Sequence, residues 1–294
     1  MAGHCDPADL MSDAPNAQQA IYWNEGAGPV WADLHAPLDR QLKPLGEAGM
    51  AVLAPEDGER ILDIGCGAGD TSHALAAAVG PSGAVVGADI SRLLLNVART
   101  RSAALPGLSF IEADAQTFPF ETGAFDAVFS RFGVMFFADP TAAFINIRRA
   151  LKPGGRLTFV CWRTPPENPF MGLPMAAALA HVPPPPPPEP GAPGPFAFAD
   201  PEKVRGILSA AGFTDLIFTP HDTKIGSGDL ETTLAMSLKI GPLGAMLREN
   251  PDKREVVIDA VRSALSAHDG PDGVKLGAAV WIVSARAYTN RPRL

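Results

Sequence analysis

The chain has 294 residues, a formal net charge of −8 and 46% apolar residues. Its 29 glycines and 30 prolines make up about one residue in five, which is a smaller share than low-complexity disordered chains contain. The acidic balance argues against a nucleic-acid or anionic-membrane surface, and no apolar run approaches the roughly 18 residues of a spanning helix. Because residues 1–16 lack a signal-peptide profile, we expect a soluble, cytoplasmic protein.

Short apolar runs alternate with amphipathic segments along the first half of the chain. The apolar runs are residues 60–65, 84–90, 108–113, 125–132 and 156–162. Helical patterns lie between them, at residues 71–79, at 91–101 and after the capping pair Asp139-Pro140. This alternation indicates βαβ units and a parallel sheet, and runs that are apolar throughout indicate that helices cover both faces.

Residues 163–195 interrupt this alternation. They include six consecutive prolines at 183–188, which cannot join a helix or a sheet. The run predicts an extended polyproline II spacer, and a ligand for a proline-recognising domain is the alternative.

Regular structure is expected again from the capping pair Asp200-Pro201 onward. Two strands are predicted, at residues 213–220 and 278–287, with helical patterns between them that include residues 230–240 and 254–266. This order predicts a hairpin that carries a helical cap.

The three cysteines, Cys5, Cys66 and Cys161, form no metal-ligand spacing and no disulfide framework. Reduced thiols and no bound metal are the expectation.

A glycine-rich turn follows the first predicted strand. Its pattern is Asp63-x-Gly65-x-Gly67-x-Gly69, and Asp70 occupies the third small-residue position of a dinucleotide fingerprint. A carboxylate at the end of this strand would repel a pyrophosphate, whereas it suits an amino group or a sulfonium. Further acids, Asp89 and Asp114, close the second and third strands, at the edge where open α/β sheets bind ligands.

These features resemble the class I S-adenosylmethionine-dependent methyltransferases, and most of all their ubiquinone/menaquinone-biosynthesis branch. The resemblance covers roughly residues 55–162. Its segments are Ile61–Gly69, Val86–Ser91, Glu112–Gln116, Phe125–Ser130 and Leu151–Arg156. Tyr22-Trp23-Asn24 and the C-terminal half also resemble bacterial small-molecule methyltransferases of this type, and the C-terminal match says less about the substrate.

The resemblance implies an α/β, Rossmann-like sheet of seven strands, mostly parallel with the last strand antiparallel. Helices would cover both faces, and a helical lid would cover the site. Four parts are expected. They are an N-terminal segment (1–54), the cofactor-binding core (55–162), a proline-rich insertion (163–199) and a C-terminal part (200–294) with its cap at about 226–270.

The resemblance also implies where the methionine end of S-adenosylmethionine would bind. The backbone of the turn, formed by Gly65, Cys66, Gly67 and Gly69, would hold it together with Asp63. The product would be S-adenosylhomocysteine.

The nucleoside would lie on the next two strands. Asp89 would accept hydrogen bonds from both ribose hydroxyls, and Ile90 would lie against the adenine ring. Asp114 would take the exocyclic amine and the backbone of Ala115 a ring nitrogen, while Trp23 could stack on the cofactor or anchor an N-terminal helix.

The end of the fourth strand would border the acceptor. Ser130 and Arg131 would flank the methionine, and Phe132 and Met135 would line the acceptor pocket, with core packing as the alternative for the aromatic residues around them. The strand end lacks the Asn/Asp-Pro-Pro-Tyr/Phe segment of amino-directed nucleic-acid methyltransferases, so a small-molecule acceptor is expected.

The candidate catalytic residues are His35, Tyr22 and Arg131. A general base is needed only for a weakly acidic hydroxyl or a protonated amine, because methyl transfer depends mainly on positioning. His73 is expected to pack rather than react. The acceptor and its atom stay open, as does a homodimer.

Two other classes of function stay open from the residues. One is an NAD-linked oxidoreductase, which Asp70 and the absence of a Tyr-x-x-x-Lys pair oppose. The other is a non-catalytic cofactor-binding or interaction protein with this fold.

Overall fold

A computed structural model describes residues 15–103, 105–187 and 189–288. Its main sheet has seven strands in the order β3-β2-β1-β4-β5-β9-β6. Their bounds are β1 Arg60–Ile64, β2 Ala84–Asp89, β3 Leu108–Glu112, β4 Phe125–Arg131, β5 Leu151–Trp162, β6 Phe213–Ile225 and β9 Leu276–Ala287. Strand β9 pairs antiparallel with both β5 and β6, whereas the first five strands pair in parallel. The expected mostly parallel sheet with an antiparallel last strand is confirmed.

Helices connect these strands. Their bounds are α1 Ala17–Ile21, α2 Gly28–Asp33, α3 His35–Leu53, α4 Asp70–Val79, α5 Arg92–Arg101, α6 Pro140–Ala150, α7 Pro169–Leu179, α8 Pro201–Ala210, α9 Leu230–Ser237, α10 Gly241–Glu249 and α11 Arg254–Ser266. One π-helical turn, Tyr22–Gly26, joins α1 to α2, and a two-stranded hairpin, β7 Asp269–Gly270 and β8 Gly273–Val274, precedes β9.

The sequence signals for helix starts act as expected. The Asp139 carboxylate accepts a hydrogen bond from the Ala142 amide at 3.0 Å, and Asp200 caps α8 in the same way through Glu202. Pro follows each of these caps, where its missing N–H costs no hydrogen bond.

The main core lies on both faces of the sheet. Strand residues such as Ile61, Leu62 and Val128 are fully buried, and helices cover them on each side. Parallel strands need this double cover, because their crossover helices lie on the faces.

A second, smaller apolar cluster lies in the cap. It joins α7 to α9, α10 and α11 through residues such as Ala178, Leu234, Leu247 and Val261. Helix α7 was not predicted. Its sequence is apolar on every side and carries Pro174 in its interior, so it shows no amphipathic period. Helix α11 packs on one side of α7, and a cavity at the ends of the strands lies on another.

Strand β6 extends to Ile225, five residues beyond its predicted end. Residues 183–187 of the proline run are exposed and lie outside regular secondary structure. Cys5 lies outside the described residues, while Cys66 and Cys161 are free and buried. Within the described part of the chain, no helix combines the length and the apolar character that a membrane span requires.

Candidate functional site

A cavity of about 290 Å³ opens at the carboxyl ends of the strands. Gly65 and Gly67 after β1, Asp89 and Ile90 after β2, and Asp114 after β3 line one part of it. This is the place where open α/β sheets bind ligands, because each strand end there is followed by a loop free to contact them.

Gly65 and Gly67 share a positive φ, which favours glycine, but the surroundings of their Cβ positions differ. Gly65 has φ +66°, and a Cβ built on it would lie 2.6 Å from the Cα of Gly133 in the loop after β4. Gly67 has φ +53°, and nothing lies within 4 Å of its Cβ position. The turn is therefore packed on the β4 side at Gly65 and open at Gly67, where a ligand could approach the backbone.

Asp89 is held in place by the backbone. Its Oδ2 accepts a hydrogen bond from the Gly67 amide at 2.7 Å and its Oδ1 from the Ser91 amide at 2.8 Å. Burial raises the pKa of this carboxyl above its ordinary value, and the backbone hydrogen bonds oppose that rise. Each carboxylate oxygen keeps lone pairs for a hydroxyl donor in the cavity.

Asp63 lies beneath the glycine turn and does not line the cavity. Its Oδ2 accepts hydrogen bonds from the hydroxyls of Thr71 at 2.7 Å and Ser72 at 2.6 Å. Its Oδ1 is buried without a hydrogen-bond partner among the described residues. Burial raises the pKa of Asp63 to about 6.

Asp114 is tied to the N-terminal segment by Asn16, a residue that the sequence analysis missed. The Asn16 amide donates to Asp114 Oδ1 at 2.8 Å and to Gln116 Oε1 at 3.1 Å, and its own oxygen accepts from the Ala138 amide at 2.8 Å. Asn16 is buried and lines the cavity. Its position just before α1 was the only sequence signal that could have marked it.

The segment around Trp23 is fastened over the β2 end. The Ser91 hydroxyl donates to the Trp23 carbonyl at 2.7 Å, and the Asn24 amide donates to the Ile90 carbonyl at 3.1 Å. Trp23 packs edge-on against Trp31 and Phe136, and all three rings line the cavity.

Arg131 joins α3 to the start of α4, the helix that follows the glycine turn. It bonds to Asp70 at 2.9 Å and lies 3.6 Å from a carboxylate oxygen of Asp39, which also pairs with Arg101 at 2.8 Å. Arg131 also lines the main cavity, and its catalytic role stays a prediction. Its ion pairs link α4, the first helix of the core, to α3.

The other two candidate catalytic residues, His35 and Tyr22, lie outside the main cavity. His35 lines a smaller neighbouring cavity of about 70 Å³ together with Cys66 and Arg131, and its Nδ1 lies 2.8 Å from the Ala32 carbonyl oxygen. A carbonyl can only accept, so this contact places a proton on Nδ1 and leaves Nε2 free in the neutral ring. Tyr22 is 44% exposed and lines neither cavity.

The remaining expected residues divide as follows. Ala115, Phe132 and Met135 line the main cavity, whereas Ser130 and Gly69 do not. The buried Ser130 hydroxyl accepts a hydrogen bond from the Gly133 amide at 3.2 Å, so it supports the loop after β4. His73 hydrogen-bonds Ser102 away from both cavities.

The far part of the cavity is apolar. Phe132, in a left-handed conformation at φ +65°, stacks on Trp162 with ring centroids 4.0 Å apart, and Phe170 of α7 packs on Trp162. Further lining comes from the cap and the segment before α8: Met171, Pro174, Met175, Pro195, Ser227, Met236, Ser237, Ile240, Gly241 and Leu243. The N-terminal segment, the 163–199 insertion and the cap at 226–270 therefore all contribute residues to this cavity.

Comparison with known proteins finds similarity to methyltransferases. Residues 61–155 match a family described as a methyltransferase domain. A demethylmenaquinone methyltransferase of Clavibacter sepedonicus is 44% identical over 115 residues, which is 39% of this chain and 45% of that protein. The enzyme of the same name from Staphylococcus aureus is 39% identical over 107 residues, 36% of this chain and 44% of that protein. The match thus spans less than half the length of each of these relatives.

Solved structures share the fold. The YcgJ protein of Bacillus subtilis superposes with a TM-score of 0.56 at 16% identity, covering 84% of this chain and 100% of that one. A candidate methyltransferase of Bacillus halodurans gives a TM-score of 0.53 at 19% identity, covering 83% and 99%. Residues 61–155 are therefore similar in sequence to methyltransferase domains, including those of two demethylmenaquinone methyltransferases, and the chain shares the Rossmann-like fold of these solved structures.

Proposed function

We propose that the protein transfers the methyl group of S-adenosylmethionine to a small, largely apolar acceptor. The observation that carries the proposal is one cavity with two kinds of wall. Strand-end carboxylates and an open glycine turn line one part, and aromatic, Met and Leu side chains line the other.

The residues present fit the cofactor. Asp89 has free lone pairs for the ribose hydroxyls, and the space above Gly67 is open to the amino-acid end. Asp114 and Ala115 would meet the adenine edge, with Ile90 and Trp23 against its faces. Asp63 would act from beneath the turn, through its buried charge rather than by contact. When bound, the sulfonium supplies an electrophilic methyl group.

The chain would then contribute mainly by orientation and by exclusion of water. Phe132 and Trp162 would hold the acceptor against the methyl group, and the α3 link through Arg131 would keep the methionine end covered. Positioning of this kind can supply effective molarities of about 10⁵ M or more. If the acceptor must lose a proton, His35 stays the candidate base; it lines the smaller neighbouring cavity, and the contact of its Nδ1 with the Ala32 carbonyl leaves Nε2 as the nitrogen that can accept a proton.

The acceptor is proposed only by class. The matched relatives are named for demethylmenaquinone, but the family match ends at residue 155, before the helices that line the apolar part. A quinone-like ring is compatible with that wall. The cytoplasmic location, the domain boundaries and the homodimer stay predictions.

Equilibrium binding of S-adenosylhomocysteine tests the first step. Asp89→Ala should weaken binding about 100-fold, because two hydrogen bonds to a charged acceptor are worth ~1.5 kcal/mol or more each. Asp222→Ala is the matched control, since this carboxylate is exposed and pairs only with Arg163 among the described residues.

Calorimetry with the purified protein would give the affinities. No binding to the wild type at millimolar ligand would contradict the proposal, and equal affinity in Asp89→Ala would contradict the ribose assignment. Transfer of a labelled methyl group to small hydroquinones and phenols would then separate an enzyme from a protein that only binds the cofactor.

A further inference from the structure

The cap part of the cavity wall contains only two polar side chains among the described residues, Ser227 and Ser237. Every other cap residue that lines the cavity is apolar or glycine, and none carries a charge. A charged acceptor would find no partner there, so this part of the cavity suits a neutral molecule.

The two serines differ in their hydrogen bonding. Ser237 lies in α9, and its hydroxyl donates to the Thr233 carbonyl one turn earlier at 2.8 Å. Ser227 is 1% exposed, and its Oγ has no hydrogen-bond partner among the described residues. A buried hydroxyl without a partner is destabilising, which makes Ser227 the unusual member of the pair.

The backbone around Ser227 keeps the hydroxyl in place. The preceding Gly226 packs on the hairpin, where a Cβ would lie 2.1 Å from the Val274 carbonyl oxygen. The following Gly228 has φ +145° and accepts a hydrogen bond from the Val274 amide at 3.0 Å. With both flanking residues fixed against β8, Ser227 cannot easily turn toward solvent.

We propose that the Ser227 hydroxyl is the hydrogen-bond partner of the acceptor, and that the acceptor is an uncharged apolar molecule with one oxygen or nitrogen facing this serine. The assignment rests on the proposed function of the cavity. Ser227 is thus a specificity-determining residue that orients the acceptor, in a cap wall whose only other polar side chain among the described residues is Ser237, which already has a hydrogen-bond partner. A hydroxyl can donate or accept, so either a carbonyl or a hydroxyl group on the acceptor would satisfy it.

A pair of probes tests this assignment without turnover. With S-adenosylhomocysteine bound, the affinities of 2-naphthol and 2-methylnaphthalene are measured by calorimetry. The two probes differ only by a hydroxyl in place of a methyl group. We expect the wild type to prefer 2-naphthol by about tenfold, as one hydrogen bond in a buried site provides.

Ser227→Ala should remove the preference for 2-naphthol, and Ser237→Ala, the matched control, should keep it. Removal of an unpartnered hydroxyl should also leave the thermal unfolding temperature of the ligand-free protein unchanged or higher. A preference that survives in Ser227→Ala, or a wild type that binds neither probe or shows no preference, would overturn the assignment.

The outcomes separate this inference from the function on which it rests. If the wild type fails to bind S-adenosylhomocysteine, the proposed function fails and the acceptor assignment fails with it. If S-adenosylhomocysteine binds while the probes behave alike in the wild type and in Ser227→Ala, only the assignment of Ser227 is refuted.

Discussion

Asp63 provides a quantitative test of the buried charge beneath the glycine turn. The change is Asp63→Asn, which keeps an oxygen to accept from Thr71 and Ser72 but removes the carboxylate. We expect the variant to gain stability relative to the wild type as the pH rises.

The sign follows from proton binding. The pKa of Asp63 is raised from 3.8 to about 6, with burial as the main cause. Between these values the native state holds a proton that the unfolded state has lost, so the wild type becomes less stable as the pH rises through this window. Above it, the difference of about 2 pH units corresponds to a cost of about 3 kcal/mol.

Because Asp63 is fully buried, solvent screening does not reduce this figure. About 1 kcal/mol of the cost is already present near pH 4.5, so the change between about pH 4.5 and pH 7.5 is about 2 kcal/mol. Comparison of the same two proteins at both pH values cancels the fixed cost of burying the asparagine amide.

Urea unfolding at about 25 °C, followed by circular dichroism, would measure the free energies of unfolding. The difference between Asp63→Asn and the wild type should become more favourable to the variant by about 2 kcal/mol from pH 4.5 to pH 7.5. A difference that is the same at both pH values would refute the assignment of a raised pKa to this carboxyl.

Three further substitutions test the turn and its cover. Gly65→Ala should be strongly destabilising, because its Cβ would meet Gly133 at 2.6 Å in addition to the strain of a positive φ. Gly67→Ala carries only the strain of its positive φ, so it should cost less stability and should also lower the affinity for S-adenosylhomocysteine. Thermal unfolding and calorimetry distinguish the two, and equal losses of stability would contradict this reasoning. Asn16→Ala should cost about 2 kcal/mol, because it leaves the buried Gln116 and the partly buried Asp114 with fewer hydrogen bonds. It should also speed hydrogen exchange in the helix that follows, and unchanged exchange would show that Asn16 does not anchor the segment.

Much of the cofactor site could be predicted because its signals are local. Gly65, Gly67 and Asp89 lie at fixed distances from the ends of apolar strands, and parallel strands bring those ends to one edge of the sheet. The same local character explains why the caps at Asp139 and Asp200 were predicted correctly.

The acceptor wall was less accessible to sequence reasoning. Phe132 and Met135 directly follow a strand and could be proposed, but α7 has no amphipathic period and Ser227 is one serine among many. Nothing local distinguishes Ser227, since its lack of a partner arises from the packing of a turn against a hairpin far along the chain.

Asp63 and Arg131 show what lay beyond the sequence in the core. Both were expected beside the cofactor. Arg131 lines the cavity, but its ion pairs with Asp39 of α3 and Asp70 of α4 join residues that are far apart in the chain, and Asp63 lies beneath the turn without lining the cavity.

The sequence by itself determined the alternation of strands and helices in residues 60–162, the glycine turn and the acidic strand ends, because each depends on residues close together in the chain. Only the tertiary structure decided which polar atoms are buried without partners and which helices close the acceptor part. Those properties depend on packing between segments that are distant in the chain, and the spacing of residues along the chain does not predict that packing.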